Sequence, residues 1–235
     1  MKRRLGLYER CIKRVIDICC ALAAIVVFWW LYLIIAILVR VNLGSPVIFK
    51  QPRPGKNEKI FYMYKFRSMT DETDEKGKLL PDEIRLTKLG KVLRTTSMDE
   101  LPEAFNILNG TMSVVGPRPQ LVQDMLFMTP EQRLRHRVKP GLSGLAQIRG
   151  RNALVWDEKL KTDLEYIQNI SFLLDLKIVL ITIKQVFFRR KGQRDKSKDE
   201  VDITDDYGVF LLKKGIISEE EYEKKLEAAR LLIER

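Results

Sequence analysis

Hydrophobic and polar positions follow several distinct periods along the chain. Ile18 to Val39 is a run of 22 residues without a formal charge. As a helix rising about 1.5 Å per residue it would cover roughly the ~30 Å hydrocarbon core of a bilayer. Val47 to Lys50 reads as a short strand, Gln51 to Asn57 (QPRPGKN) as a stiff turn, and Lys59 to Arg67 (KIFYMYKFR) as a second strand. One small β-hairpin is therefore expected. Residues 70–83 are polar and acidic and read as a mobile excursion. Helical spacing then dominates: Leu86, Leu89 and Leu93; Leu101, Phe105 and Leu108; Leu160, Leu164 and Ile167. Thr129-Pro-Glu-Gln132 has the cap, first-turn proline and box residue of a helix start. Phe172 to Phe188 is apolar but carries Asp175, Lys177 and Lys184, which predicts a core or membrane-surface helix in place of a second span.

The fold class this implies is mainly α with a small β-hairpin (α+β). A basic arm and membrane-embedded helix occupy residues 1–40, a compact domain 41–190, a charged linker 191–207, and a short helical extension with a Gly-Ile-Ile-Ser-Glu turn and cap 208–235.

Charge sharpens this division. The chain has 235 residues and a formal charge of +11, yet residues 189–235 balance twelve basic against twelve acidic side chains. The whole excess lies in the body. With 46% hydrophobic and 31% charged residues the chain is neither disordered nor a multi-span transporter. Lys2, Arg3, Arg4, Arg10, Lys13 and Arg14 precede the uncharged run, forming a cytoplasmic flank and an anionic-lipid contact. Arg40, Lys50, Arg53, Lys56, Lys59 and Lys65 follow it. Two positive flanks favour a helix that enters and returns, whereas the lack of Pro or Gly in residues 18–39 and the central Trp29-Trp30 leave a full span open. Asp17, at the start of the run, is expected either to pair with Lys13 or Arg14 or to stand as a solvated flank charge. Cys11, Cys19 and Cys20 are the only cysteines and His136 the only histidine, so a disulfide framework in the body and a Cys/His metal site are excluded.

Three stretches carry candidate chemistry. In Arg94-Thr-Thr-Ser-Met-Asp-Glu-Leu-Pro-Glu103, the spacing of Ser97 and Glu100 is that of a capping box, which predicts a helix starting at Ser97 with Asp99 and Glu100 in its first turn. That end would favour ionised carboxylates and attract a phosphate, with Arg94, Arg118, Lys65, Arg67 and Mg²⁺ as the neutralising cations. On spacing alone, a plain box acid and a first-turn charge remain the simpler account. Arg118 lies between Pro117 and Pro119, which fix its backbone and suit it to a phosphate fork or to ordinary loop structure. Lys139 to Asn152 combines glycines with Arg149 and Arg151 but matches neither the Walker nor the dinucleotide spacing.

Together the motifs resemble one family. Lys13-Arg-Val-Ile-Asp17, Gln51-Pro-Arg-Pro-Gly55, Tyr64-Lys-Phe-Arg-Ser-Met69, Asp99-Glu-Leu-Pro102, Gly116-Pro-Arg-Pro119, Lys139-Pro-Gly141, Gly150-Arg-Asn152 and Leu174-Asp-Leu-Lys177 occur in the order seen in the bacterial sugar transferases. These are the small monotopic polyprenol-phosphate phosphoglycosyl transferases, and the resemblance spans about residues 10–190. It implies transfer of a sugar-1-phosphate from a UDP-sugar to polyprenol (undecaprenyl) phosphate, with release of UMP. The implied nucleophile is Asp99, through a covalent aspartyl phosphosugar. Glu100 is associated with Mg²⁺ and with deprotonating the lipid phosphate; the metal would lie at Glu100 and Asp99. The resemblance assigns phosphate contacts to Arg94 and Arg118, with Lys65, Arg67 and Arg151 as further candidates and Lys13, Arg14 and Asp17 at the membrane entry. It implies a bacterial inner membrane location, catalytic domain on the cytoplasmic face, and a re-entrant helix. The Ser-Pro pair that breaks that helix in the family falls on Trp29-Trp30 here. Residues 208–235 resemble short helical modules used for self-association, which makes a homo-oligomer one expectation and a solvated tail the other.

A rival class is a non-catalytic, membrane-anchored protein whose basic body binds anionic lipid or nucleic acid. It explains +11, but not paired carboxylates among arginines, because nucleic-acid footprints exclude acids. No nucleic-acid partner is therefore expected. A hydrolase using the same dyad would release sugar phosphate to water.

Overall fold

In the computed structural model, residues 6–150, 154–187 and 206–234 are described. A π-helical turn, Tyr8–Ile12, leads into α1 (Lys13–Leu43). Strands β1 (Ile48–Pro54) and β2 (Ile60–Phe66) follow, then α2 (Asp82–Arg85), α3 (Lys88–Thr96), a 3-10 turn at Met98–Glu100 and α4 (Glu103–Asn109). Next come β3 (Ser113–Val115), α5 (Val122–Phe127), a 3-10 stretch at Gln132–Arg137, β4 (Gly141–Ser143), α6 (Leu145–Arg149), α7 (Trp156–Gln168) and α8 (Phe172–Phe187). Helices α9 (Tyr207–Lys213) and α10 (Glu219–Ile233) end the described chain. Strands β1 and β2 form one two-stranded sheet; β3 and β4 form the other, parallel, with Ser113 opposite Gly141 and Val115 opposite Ser143.

Most periodic expectations hold, with local corrections. The strand β1 continues through Pro54, where a loop was expected: a two-stranded sheet offers edge positions, and an edge tolerates residues lacking an N–H. Thr129 and Gln132 do exchange cap hydrogen bonds, Thr129 N–H to Gln132 Oε1 at 2.8 Å and Gln132 N–H to Thr129 Oγ1 at 3.3 Å, but they open a 3-10 stretch in place of an α-helix. The acidic excursion at 70–83 folds back on itself, since Asp74 Oδ1 accepts from the N–H groups of Lys76 and Lys78. Ser218 caps α10 as expected, accepting from Glu221 N–H. The charged linker and Arg189-Arg190-Lys191 lie outside the described residues.

Two compact units divide the chain without following its order: Met1–Asp17, Pro52–Phe61 and Gly110–Arg235 form the first, Ile18–Gln51 and Tyr62–Asn109 the second. In the first, β3 and α6–α8 enclose Val115, Leu145, Tyr166, Ile170 and Ile178. Asp175 of α8 accepts from the Tyr8 hydroxyl at 2.7 Å and the Tyr166 hydroxyl at 2.8 Å, and pairs with Lys13. Lys13 thus goes to Asp175, not to Asp17. Asp17 is buried, and its Oδ1 accepts from the Ser113 hydroxyl (2.9 Å) and the Val114 N–H (2.8 Å), which ties α1 to the edge of β3 and excludes a solvated flank charge. A second cluster in this unit joins Phe127 of α5 and Trp156 and Leu160 of α7 to Tyr207, Phe210 and Leu211 of α9. The extension is docked on its own chain.

In the second unit the last third of α1 supplies the core. Ile35, Val39 and Leu43 pack with Phe66 of β2 and Leu93 of α3. Most side chains from Leu22 to Val41 that miss this core, Trp29 and Trp30 among them, are exposed, and α1 is unbroken across Trp29-Trp30. Leaving so many large apolar side chains in water costs up to about 1.5–3 kcal/mol each, a cost that burial in lipid would relieve. The helix α8 repeats this more weakly: Leu173, Leu176, Leu180 and Ile183 form an exposed stripe beside Lys177 and Lys184.

Candidate active site

The carboxylate pair is built within the second unit. Thr87 caps α3, its hydroxyl accepting from Gly90 N–H at 3.0 Å. Gly90 lets α3 lie directly on the backbone of Ser68: a Cβ there would stand 1.8 Å from the Ser68 carbonyl oxygen. The close approach delivers Arg94, in the last turn of α3, to the Ser68 hydroxyl, with Nε to Oγ at 3.0 Å.

The helix then stops at Ser97, which is left-handed at φ 57°; its N–H returns to the carbonyls of Leu93 and Arg94. The expected capping box is therefore absent. Ser97 terminates α3 and makes no side-chain cap, while residues 98–100 form only a 3-10 turn before α4 begins at Glu103. Asp99 and Glu100 hang on a tight turn between two helices, and cations, not a long helix dipole, must balance them.

Lys65 does much of this. Its ammonium lies 2.9 Å from Glu100 Oε1 and 3.4 Å from Glu103 Oε1. Asn106 of α4 holds the strand in register, accepting from Tyr64 N–H (2.9 Å) and donating to the Tyr62 carbonyl (2.8 Å), so Lys65 projects at the dyad. Asp99 is buried, and desolvation lifts its pKa above the ordinary carboxylate value, reinforced by Glu100 and opposed by Lys65 and Arg94. The helix α1 braces the same turn, as the Tyr32 hydroxyl donates to the Leu101 carbonyl at 2.7 Å and its ring meets Phe66 and Phe105.

Of the expected site residues, Asp99, Glu100, Lys65 and Arg94 come together here. Arg67 is in the same unit but is committed to structure, donating to the carbonyls of Ser45 and Met69 and pairing with Asp71. Arg118 belongs to the first unit: it is exposed between two buried prolines, and its carbonyl accepts from buried Arg135, which also pairs with Asp163 at 2.7 Å. Arg151 lies outside the described residues. Glu103 was not anticipated. Its spacing of three and four residues from Glu100 and Asp99 was the available signal, and it is nearly inaccessible to solvent. Among the described residues no three Asp, Glu, His or Cys side chains converge as a metal centre. Asp99 and Glu100 offer two adjacent oxygen donors, the pattern by which Mg²⁺ binds when phosphates and water complete its shell.

The chain is similar to known proteins over most of its length. A family model described as bacterial sugar transferase matches residues 8–189. The chain is 49% identical over 175 residues to the uncharacterized sugar transferase EpsL of Bacillus subtilis (strain 168), covering 74% of this chain and 87% of that protein. It is 39% identical over 196 residues to the exopolysaccharide production protein PSS of Rhizobium leguminosarum bv. phaseoli, covering 77% and 98%. It is 40% identical over 190 residues to the UDP-glucose:undecaprenyl-phosphate glucose-1-phosphate transferase of Klebsiella pneumoniae, covering 77% of this chain but 41% of that longer protein.

Proposed function

The chain belongs to the bacterial sugar transferase family, and from that premise we propose that it moves a sugar-1-phosphate from a UDP-sugar to undecaprenyl phosphate at the cytoplasmic face of the inner membrane. The observation that carries this reading is buried Asp99 beside Glu100, with Lys65 and Arg94 about them.

In the first step an Asp99 carboxylate oxygen attacks the β-phosphorus of the donor. The bond from that phosphorus to the bridging oxygen breaks, and UMP leaves with the electron pair. In the second step a phosphate oxygen of the lipid attacks the same phosphorus and restores the carboxylate. Each displacement is easier than one direct transfer between two anions. Burial makes Asp99 a stronger nucleophile once ionised, while Lys65 and Arg94 favour its ionised form and offset charge on the transferring group. Glu100 takes the proton of the acceptor phosphate. Asp99 and Glu100 would hold Mg²⁺, which would neutralise phosphate charge. The uncharged run of α1 and the stripe of α8 are the lipid-facing elements, which suits an acceptor that never leaves the membrane. Incubation with a panel of UDP-sugars, followed by digestion and mass spectrometry, tests the reading: a sugar-phosphate adduct on the peptide containing Asp99 is expected, and UMP release without any adduct would overturn the two-step route.

A further inference from the structure

The first unit contains a cavity of about 90 Å³ lined by Lys13, Arg14, Lys56, Arg137 and Lys139. Two acids, Glu9 and Asp17, also line it, but Asp17 Oδ1 is occupied by the Ser113 hydroxyl and the Val114 N–H. Lys13 is balanced by Asp175. The other four cations come from separate elements: Arg14 from the first turn of α1, Lys56 from the tip of the β1–β2 hairpin, Arg137 from the end of the 3-10 stretch, and Lys139 from the loop before β4.

Specific contacts hold this convergence. Glu58 clasps Arg133, with Arg133 Nε to Glu58 Oε1 at 2.7 Å, which fixes the hairpin tip carrying Lys56 against the stretch carrying Arg137. Gly110, at φ +88°, stands between two of the cations: a Cβ there would meet Arg14 Nη2 at 3.3 Å and Lys139 Nζ at 3.4 Å. Gathering like charges is unfavourable. Burial, and then Arg14 and Lys56, push the Lys139 ammonium below its ordinary pKa, against the attraction of Asp17. An anion in the cavity reverses that cost. The space is enough for one tetrahedral phosphate.

We propose that this cavity binds a single phosphate group presented by a membrane lipid headgroup. The lipid source follows from position, because Lys13 and Arg14 lie on the last turn before the uncharged run from Ile18 to Val39, at the level where α1 passes into lipid. The inference rests on α1 entering the bilayer and is independent of the chemistry assigned to Asp99.

The test uses the full chain in zwitterionic nanodiscs, reading the thermal unfolding midpoint while phosphatidylglycerol, inorganic phosphate or chloride is titrated. Phosphatidylglycerol is expected to raise the midpoint, with affinity about tenfold weaker in Lys139→Gln and in Lys56→Gln and retained in Lys139→Arg. Lys56 is exposed at a turn, so its variant keeps the fold. An equal response in the wild type and both glutamine variants would overturn the site. Saturation by inorganic phosphate with no further gain from the lipid would overturn the lipid source, and an equal shift from chloride would overturn phosphate recognition. Since binding is the readout, none of these results bears on UMP release.

Discussion

Lys13 and Asp175, 162 residues apart in the chain, form an ion pair largely shielded from water, with the hydroxyls of Tyr8 and Tyr166 on the same carboxylate. The N-terminal end of α1 is thereby fastened to α8. Removing one partner leaves the other charge buried, which typically costs about 3–5 kcal/mol, whereas replacing both with apolar groups costs far less. Asp175→Ala should therefore lower the unfolding midpoint more than the double variant Lys13→Met/Asp175→Leu. Equal losses in calorimetry would show that the pair contributes only packing.

The nucleophile should respond to Lys65. Asp99→Asn is expected to abolish UMP release. Lys65→Met removes a charge that lowers the Asp99 pKa, so that pKa rises further and the acidic limb of the rate profile moves to higher pH. Rate-against-pH curves for wild type and Lys65→Met decide this, and an unshifted limb would separate Lys65 from Asp99.

Two buried groups in the first unit should oppose each other below neutrality. Burial lowers the pKa of His136, the only histidine, to about 3. Between its ordinary 6.5 and 3 the unfolded chain takes up the proton, so this group loses stability as pH falls, by at most ~1.4 kcal/mol per unit. Burial raises Asp124 to about 6, so between 6 and 3.8 the folded chain takes up the proton and gains stability as pH falls. Relative to wild type, His136→Gln should gain stability on acidification from pH 6 to 4 and Asp124→Asn should lose it. Denaturant titrations at several pH values provide the check.

Ser97 holds a left-handed conformation without a side-chain cap. Ser97→Gly should leave stability unchanged or slightly raised, while Ser97→Val should cost about 1–2 kcal/mol and slow turnover by displacing Asp99. Thermal melts and initial rates on the same preparations test both effects.

The periodic parts of the fold were legible because they obey local rules. Leu89 and Leu93 mark α3 and KIFYMYKFR marks β2 directly from spacing, whereas Leu86 stands before α3 in extended backbone. The turn that carries Asp99 and Glu100 was singled out on a helix start that the structure does not contain. Ser and Glu three residues apart are what a capping box requires, but the end of α3 claims Ser97 first, a competition that spacing does not reveal. The partners of Asp17 and Asp175 could not be read from spacing, since Val114 and Lys13 are distant from them in sequence. Glu103 and the five-cation cavity escaped for the same reason: each depends on which elements meet.

The aromatic cluster under α9 and α10 has a practical meaning for where this chain can be cut. The family match stops at residue 189, yet Phe210 is 1% exposed and seals Phe127 and Trp156, which lie inside the match. A truncation drawn at the family boundary would leave a wound in the catalytic body, a raw aromatic face that invites clumping. The extension is thus a lid on the core's own seam, and its helices set the minimal unit that can be cut, grafted or fused.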